Sequence, residues 1–231
     1  MAKKVLLTIS LLIGVMLAGS PAQAALTPGV TQPSIRAIAP QLVAEQMAAS
    51  NVKLTLEDLP PGFQALPPGV ANQIASKLDA FKQQLALANV KPEDLSAFVN
   101  PETFQVVIGF TGDLAKQQDR ASFDASLQQL QKPAVQEQML GLLRKQLKSF
   151  GGVEVQKYTT LSDLNKLANA STGFSLDLAV LGQPARMELA IFRRNTVGAF
   201  TAVMNLNEQS STLTVGDVAR KLDSKIVKTS S

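Results

Sequence analysis

From Gly173 to Leu206 apolar residues recur at alternate positions in three runs, GFSLDLAVLG, ARMELAIFR and TVGAFTAVMNL. They are parted by Gly182-Gln183-Pro184 and by Arg193-Arg194-Asn195-Thr196. A period of two marks a strand with one buried side, and connections this short join only antiparallel neighbours. The third run is apolar on both sides, Val197, Ala199 and Val203 on one and Phe200, Ala202, Met204 and Leu206 on the other. That pattern predicts a central strand covered on both faces. Asn195 tolerates the left-handed backbone of a tight hairpin, so the RRNT stretch reads first as a hairpin tip. Successive strand residues face opposite ways, so Arg193 and Arg194 are expected to diverge unless the turn twists them together. As a mere tip, the arginine pair would be removable by alanine within about 1 kcal/mol.

Alternation also predicts strands over Val52 to Glu57, within TFQVVIGFTG (Thr103 to Gly112), and from Val153 onward in GGVEVQKYT. Spacings of three and four predict helices instead over Val70 to Leu87, Ser122 to Gln131, Pro133 to Ser149 and TVGDVARKLDSKI. The stripe of the first is Val70, Ile74, Leu78, Phe81 and Leu85; that of the third is Val135, Met139, Leu142 or Leu143, and Leu147. In the last, Thr214 and Asp217 fit an acidic capping box, and Val215, Val218, Leu222 and Ile226 make the buried stripe. Lys91-Pro92-Glu93-Asp94 reads as the start of a further short helix, ended by Asn100-Pro101. The class that follows is α+β: a mostly antiparallel sheet of about five to six strands, helices packed on it, closed by a C-terminal helix.

Two segments precede this pattern. Lys3 and Lys4, the apolar run Val5 to Leu17 and the small residues Ala22 and Ala24 have the layout of a secretory signal peptide, residues 1–24. Residues 25–51 read as a flexible tether rich in proline and small residues, with a short helix weighed at Gln41 to Ser50. Residues 52–231 then form a single α+β domain. Within it, LPPGFQALPPG repeats Leu-Pro-Pro-Gly at an offset of seven. Paired turn punctuation accounts for the repeat better than a polyproline docking strip.

Composition narrows the chemistry. The chain has no cysteine, histidine or tryptophan, which removes Ser-His-Asp and Cys-His nucleophile pairs and the usual zinc or copper sites. No cofactor is called for. Lys3 and Lys4 would leave with the leader, taking the net charge from +4 to +2. With 5% aromatic residues and no basic block, nucleic-acid binding is unsupported. No dinucleotide, P-loop, zincin or EF-hand motif occurs. Asn169-Ala170-Ser171 matches a glycosylation sequon but reads better as a turn into a strand. The carboxylates worth weighing as an acid-base pair are Glu93 with Asp94, and Asp177 with Glu188; Arg186 beside the latter two would make that group structural. Arg144, Lys145 and Lys148 are read as cations complementing a helix C-terminus rather than as a membrane-facing patch. Arg186, Arg193 and Arg194 are the candidate binding residues, for an anionic partner.

ARMELAIFRRNTVGAF, the LPPGF segment and TVGDVARKLDSKI together resemble a group of exported bacterial proteins of cyanobacterial character without an assigned activity. In general plan these are similar to the PsbP-like lumenal proteins. The resemblance implies export and an accessory or binding role. It carries over no metal-binding or docking residue, because none of PsbP's matches a position here. The expected function is therefore an exported, non-enzymatic binding or accessory module of the cell envelope. Its partner would be an envelope protein, a polymer or an anionic surface, in the periplasm, thylakoid lumen or extracellular space. No membrane span is expected once the leader is removed. The alternatives are an envelope hydrolase or transferase using carboxylate, Ser or Lys chemistry, and a carrier of an apolar molecule.

Overall fold

A computed structural model describes residues 52–67, 69, 95–149, 153–206 and 213–229. The signal peptide, the tether with its helix at Gln41 to Ser50, the helix expected from Val70 to Leu87, and Glu93-Asp94 lie outside these residues. So do the side chains of Met139, Leu142, Leu143 and Leu147.

The alternating runs become one seven-stranded antiparallel sheet: β1 (Gln64–Ala65), β2 (Ser96–Asn100), β3 (Gln105–Asp113), β4 (Val153–Thr160), β5 (Ala170–Val180), β6 (Gln183–Arg194) and β7 (Val197–Asn205). Their order across the sheet is β1-β2-β3-β7-β6-β5-β4. The helices are α1 (Gln117–Leu130), α2 (Pro133–Ser149) and α3 (Val215–Thr229). The α+β class and the closing helix stand; the sheet has more strands than the five to six expected. One of the additions is β2, where the residues before Asn100-Pro101 are strand and not the short helix read there.

β7 lies in the middle of the sheet, and all nine of its residues are buried. Phe200, Ala202 and Met204 enter one hydrophobic cluster with Val106, Ile108 and Phe110 of β3, Met187, Leu189 and Ile191 of β6, and Phe123 and Leu127 of α1. Val197, Ala199 and Val203 enter a second cluster with Val107, Ala190 and Phe192, to which α3 contributes Val215, Val218, Leu222 and Ile226. Alternation along the strand divides these residues between the two faces.

The segment read as a first strand is not one. Val52 to Thr55 is extended but joins no ladder, and Leu56–Asp58 is a 3-10 turn. Alternation is present because Val52 and Leu54 face the second cluster, while side chains hold the backbone. Ser96 Oγ donates to the Leu54 carbonyl at 2.8 Å and Thr111 Oγ1 to that of Val52 at 2.7 Å. Leu54 lies so close to β3 that a Cβ on Gly109 would come within 2.5 Å of its Cδ1. The segment thus lies over the β2–β3 half of this face. Lys225 of α3 donates to Asp58 and Thr55, tying the segment to the helix.

The proline repeat clasps the sheet edge. Leu59 enters the second cluster and Leu66 the first, and the amide of Leu66 bonds to the Ala97 carbonyl at 2.9 Å. The two leucines thus reach different clusters across the β2 edge. The intervening β1 is two residues long and exposed. A short edge strand with prolines beside it resists pairing with other chains.

Candidate functional site

The hairpin at Arg193 to Thr196 follows from the register. Arg194 pairs with Val197, leaving Asn195 and Thr196 as the loop, and Asn195 has φ 53°. Its amide donates to Asn169 Oδ1 at 2.7 Å, and the Asn169 amide bonds to the Arg193 carbonyl at 3.0 Å. The sequon asparagine therefore buttresses the tip.

The two arginines leave β6 on opposite faces. Arg193 makes two contacts to Asp124 of α1, Nε to Oδ1 and Nη2 to Oδ2, both at 2.7 Å. It also donates to the Asn195 carbonyl. Arg194 grips Asp223 of α3 in the same way, Nε to Oδ1 at 2.7 Å and Nη2 to Oδ2 at 2.6 Å, and donates to the Leu167 carbonyl. Such fork-on-fork pairing is the strong geometry for guanidinium and carboxylate. The hydrogen bonds to Asp124 and Asp223 raise the two guanidinium groups above their ordinary range against the opposing effect of burial. One hairpin tip is thereby tied to two helices, to α1 through Arg193 and to α3 through Arg194.

Arg186 lies eight residues back along β6, roughly 25 Å from Arg194 at the rise of a strand. The structure does not bring the three arginines into one site. Arg186 lies directly across from Asp177 and two residues from Glu188. Its Nε meets Glu188 Oε1 at 3.1 Å, its Nη1 lies 3.8 Å from Asp177 Oδ1, and its Nη2 donates to Ser175 Oγ at 3.3 Å. Glu188 Oε2 accepts the Val215 amide at the start of α3, where the helix dipole favours a carboxylate. The acid-base candidates Asp177 and Glu188 are thus bridged by one guanidinium, and Glu188 caps a helix. Arg186 keeps the most exposed side chain of the three arginines, 43% against 14% for Arg193 and 26% for Arg194.

Three further groups have unusual surroundings. At the hairpin end of β3, Asp113 Oδ1 is buried with no hydrogen-bond partner among the described residues. Burial raises the Asp113 carboxyl; Arg120 lowers it and Asp119 raises it further. Burial would raise the Asp58 carboxyl too, but hydrogen bonds from Lys225 and Thr55 hold it below its ordinary value. Tyr158, stacked on Phe174 with ring centroids 5.3 Å apart, has its hydroxyl pushed up to about 12 by burial, with Thr160 acting in the opposite direction. Among the described residues no group of three or more His, Cys, Asp or Glu side chains could hold a metal ion. None of their helices is long and apolar enough to cross a membrane. On α2, Arg144 donates to the Val155 carbonyl of β4; the side chains of Lys145 and Lys148 lie outside the described residues.

Sequence reasoning singled out the arginines and missed Asp124 and Asp223. A signal for Asp223 was present: it follows Leu222 on the buried side of α3, where an acidic residue calls for a partner. Asp124, half-buried beside Phe123 on α1, gives a weaker form of the same signal. Comparison with protein families gives no matching family model, and comparison with curated proteins gives no significant relative, so the geometry alone bears on function.

Proposed function

We propose that the protein is an exported, non-enzymatic binding or accessory module of the cell envelope, with helices covering both faces of its sheet. The observation that carries this reading is the internal use of the candidate chemistry. Arg193 and Arg194 hold helices, Glu188 caps one, and Asp177 shares a guanidinium with it. What these groups build is a braced scaffold with its charges matched, the character of a part that presents surface. Arg186 is the candidate contact for an anionic group on a partner, through the portion of its side chain that remains exposed.

Affinity capture with the mature protein from its own envelope fraction, across a salt series, tests the reading. Recovery of one partner in stoichiometric amount, weakened by Arg186→Gln and by salt, is expected. Turnover of an envelope substrate that survives Arg186→Gln and is lost on replacing a single carboxylate would overturn it in favour of a hydrolase or transferase. The leader is tested separately: intact mass of the native protein should begin at Ala25, and a soluble cytosolic species retaining Met1 would contradict export.

A further inference from the structure

Only Gln131 and Lys132 separate α1 from α2, and both are exposed, as are Pro133 and Ala134. The helical path is almost continuous there. Gln131 keeps right-handed helical backbone, and the Lys132 amide donates to the Gln129 carbonyl at 3.0 Å. Lys132 then opens α2, its carbonyl accepting the Val135 and Gln136 amides. Pro133 makes the break. In an uninterrupted helix its ring would strike the Gln129 carbonyl, and it has no amide to offer that oxygen; at the first position of a new helix the same residue is favoured. Gln136 Nε2 closes the bend by donating to the Leu130 carbonyl at 3.1 Å, and Gln131 Nε2 fastens it to the sheet at the Ser171 carbonyl.

The bend decides which chain completes the sheet. α1 is held at Arg193 of β6 through Asp124 and ends beside Ser171 of β5, so it passes across the strands. α2 then lies along β4, where Arg144 bonds to the Val155 carbonyl. Without the bend, Gln117 to Ser149 would form one rod of about 50 Å at the rise of a helix. Such a rod carries β3 away from the β7 of its own chain. Yet β3 and β7 pair along their whole length at the centre of the sheet, and a second copy offers that ladder unchanged.

We infer that the Pro133 elbow is a lock against exchange between two copies of the chain, holding β3 on the β7 of the same molecule. Straightened, each of two chains would seat its β1–β3 and α1 on the β4–β7 of the other. The β3–β7 ladder and the Arg193–Asp124 pair would be remade between chains, and only the bonds of the elbow itself would be given up. Reciprocal exchange of this kind is a low-cost route to a dimer when a short hinge can open. Proline opposes it twice, once in each chain, because each rod places Pro133 in a helix interior. The lock goes beyond the accessory-module reading and does not depend on it, since it concerns which chain completes the sheet and not what the finished surface binds.

Full chains with Pro133 retained, Pro133→Gly and Pro133→Ala are unfolded in guanidinium chloride, refolded at high protein concentration and sized by light scattering. Because the elbow is exposed, these changes leave the core untouched. The dimer-to-monomer ratio should rise in the order proline, glycine, alanine, the order of their fitness for a helix interior, by at least about tenfold across the series. The lack of cysteine lets exchange itself be read. Val107 of β3 lies opposite Val203 of β7. Chains carrying Val107→Cys and chains carrying Val203→Cys, each with Pro133→Ala, are refolded together and oxidised. A disulfide between them requires β3 of one chain beside β7 of the other, and a linked dimer is expected from this mixture, with at most a trace when Pro133 is retained. A dimer fraction that does not change with the residue at 133 would overturn the inference. So would a Pro133→Ala dimer whose chains stay unlinked while a single chain bearing both cysteines closes its own bridge.

Discussion

Arg193 and Arg194 are adjacent in the chain and opposed in space, which makes each the partner of a different helix. Arg193→Ala leaves Asp124 without its fork, and Arg194→Ala does the same to Asp223. Loss of a partly buried, charge-assisted pair is expected to cost about 1–2 kcal/mol in each case, more than the small effect anticipated for a solvated tip. Because the two pairs share no atoms and lie on opposite faces, the double variant should show the sum of the two losses, measured by denaturant melts. Asp113 has the contrary character. Its folded carboxyl titrates above the ordinary value, so its contribution to stability is full below the unfolded value and is lost as pH rises through the folded one. Asp113→Asn should raise stability at neutral pH and remove that part of the fall, read from melts between pH 3 and 8.

Elements join this sheet in two ways, by ladders and by side chains reaching across a face, and only the first is plain in a sequence. The period of two in β3, β6 and β7 was legible because both their pairing and their burial follow from it. The stripe of α3 was equally plain: Leu222 is fully buried and Lys221 exposed. Leu222→Ala should lower stability by about 2–4 kcal/mol and Lys221→Ala change little, again by denaturant melts. The same period misled at Val52 and Leu54, where alternation reports a face met by side chains and not a hydrogen-bonded neighbour. β2 was hidden because Ser96 to Asn100 offers only five residues, three of them apolar. Gly109 carries the contact that distinguishes the two modes. Gly109→Ala should destabilise the fold by about 1–3 kcal/mol through overlap with Leu54. Combining it with Leu54→Ala should give less than the sum of the single losses, because the first change then fills space the second vacates.

For the molecule as a whole, class, antiparallel pairing and the central place of β7 could be read from residue pattern. The strand order and the partners of the arginines could not. Pattern records which side of an element is apolar; it does not record which distant element covers that side, and Asp124 and Asp223 are 69 and 29 residues from their arginines. The centre of the sheet has the same property on a larger scale: Gln105 pairs with Asn205, and Asp113 with Val197. β4 to β7 are successive neighbours and can assemble as a meander, and β2 with β3 as a hairpin, but neither part is covered or complete without the other. Closing the long loop between them opposes early docking. During synthesis, β3 therefore waits for its partner until Val197 to Asn205 has been made. A sheet stitched through its middle by the last of its described strands is hard to complete before that strand is available.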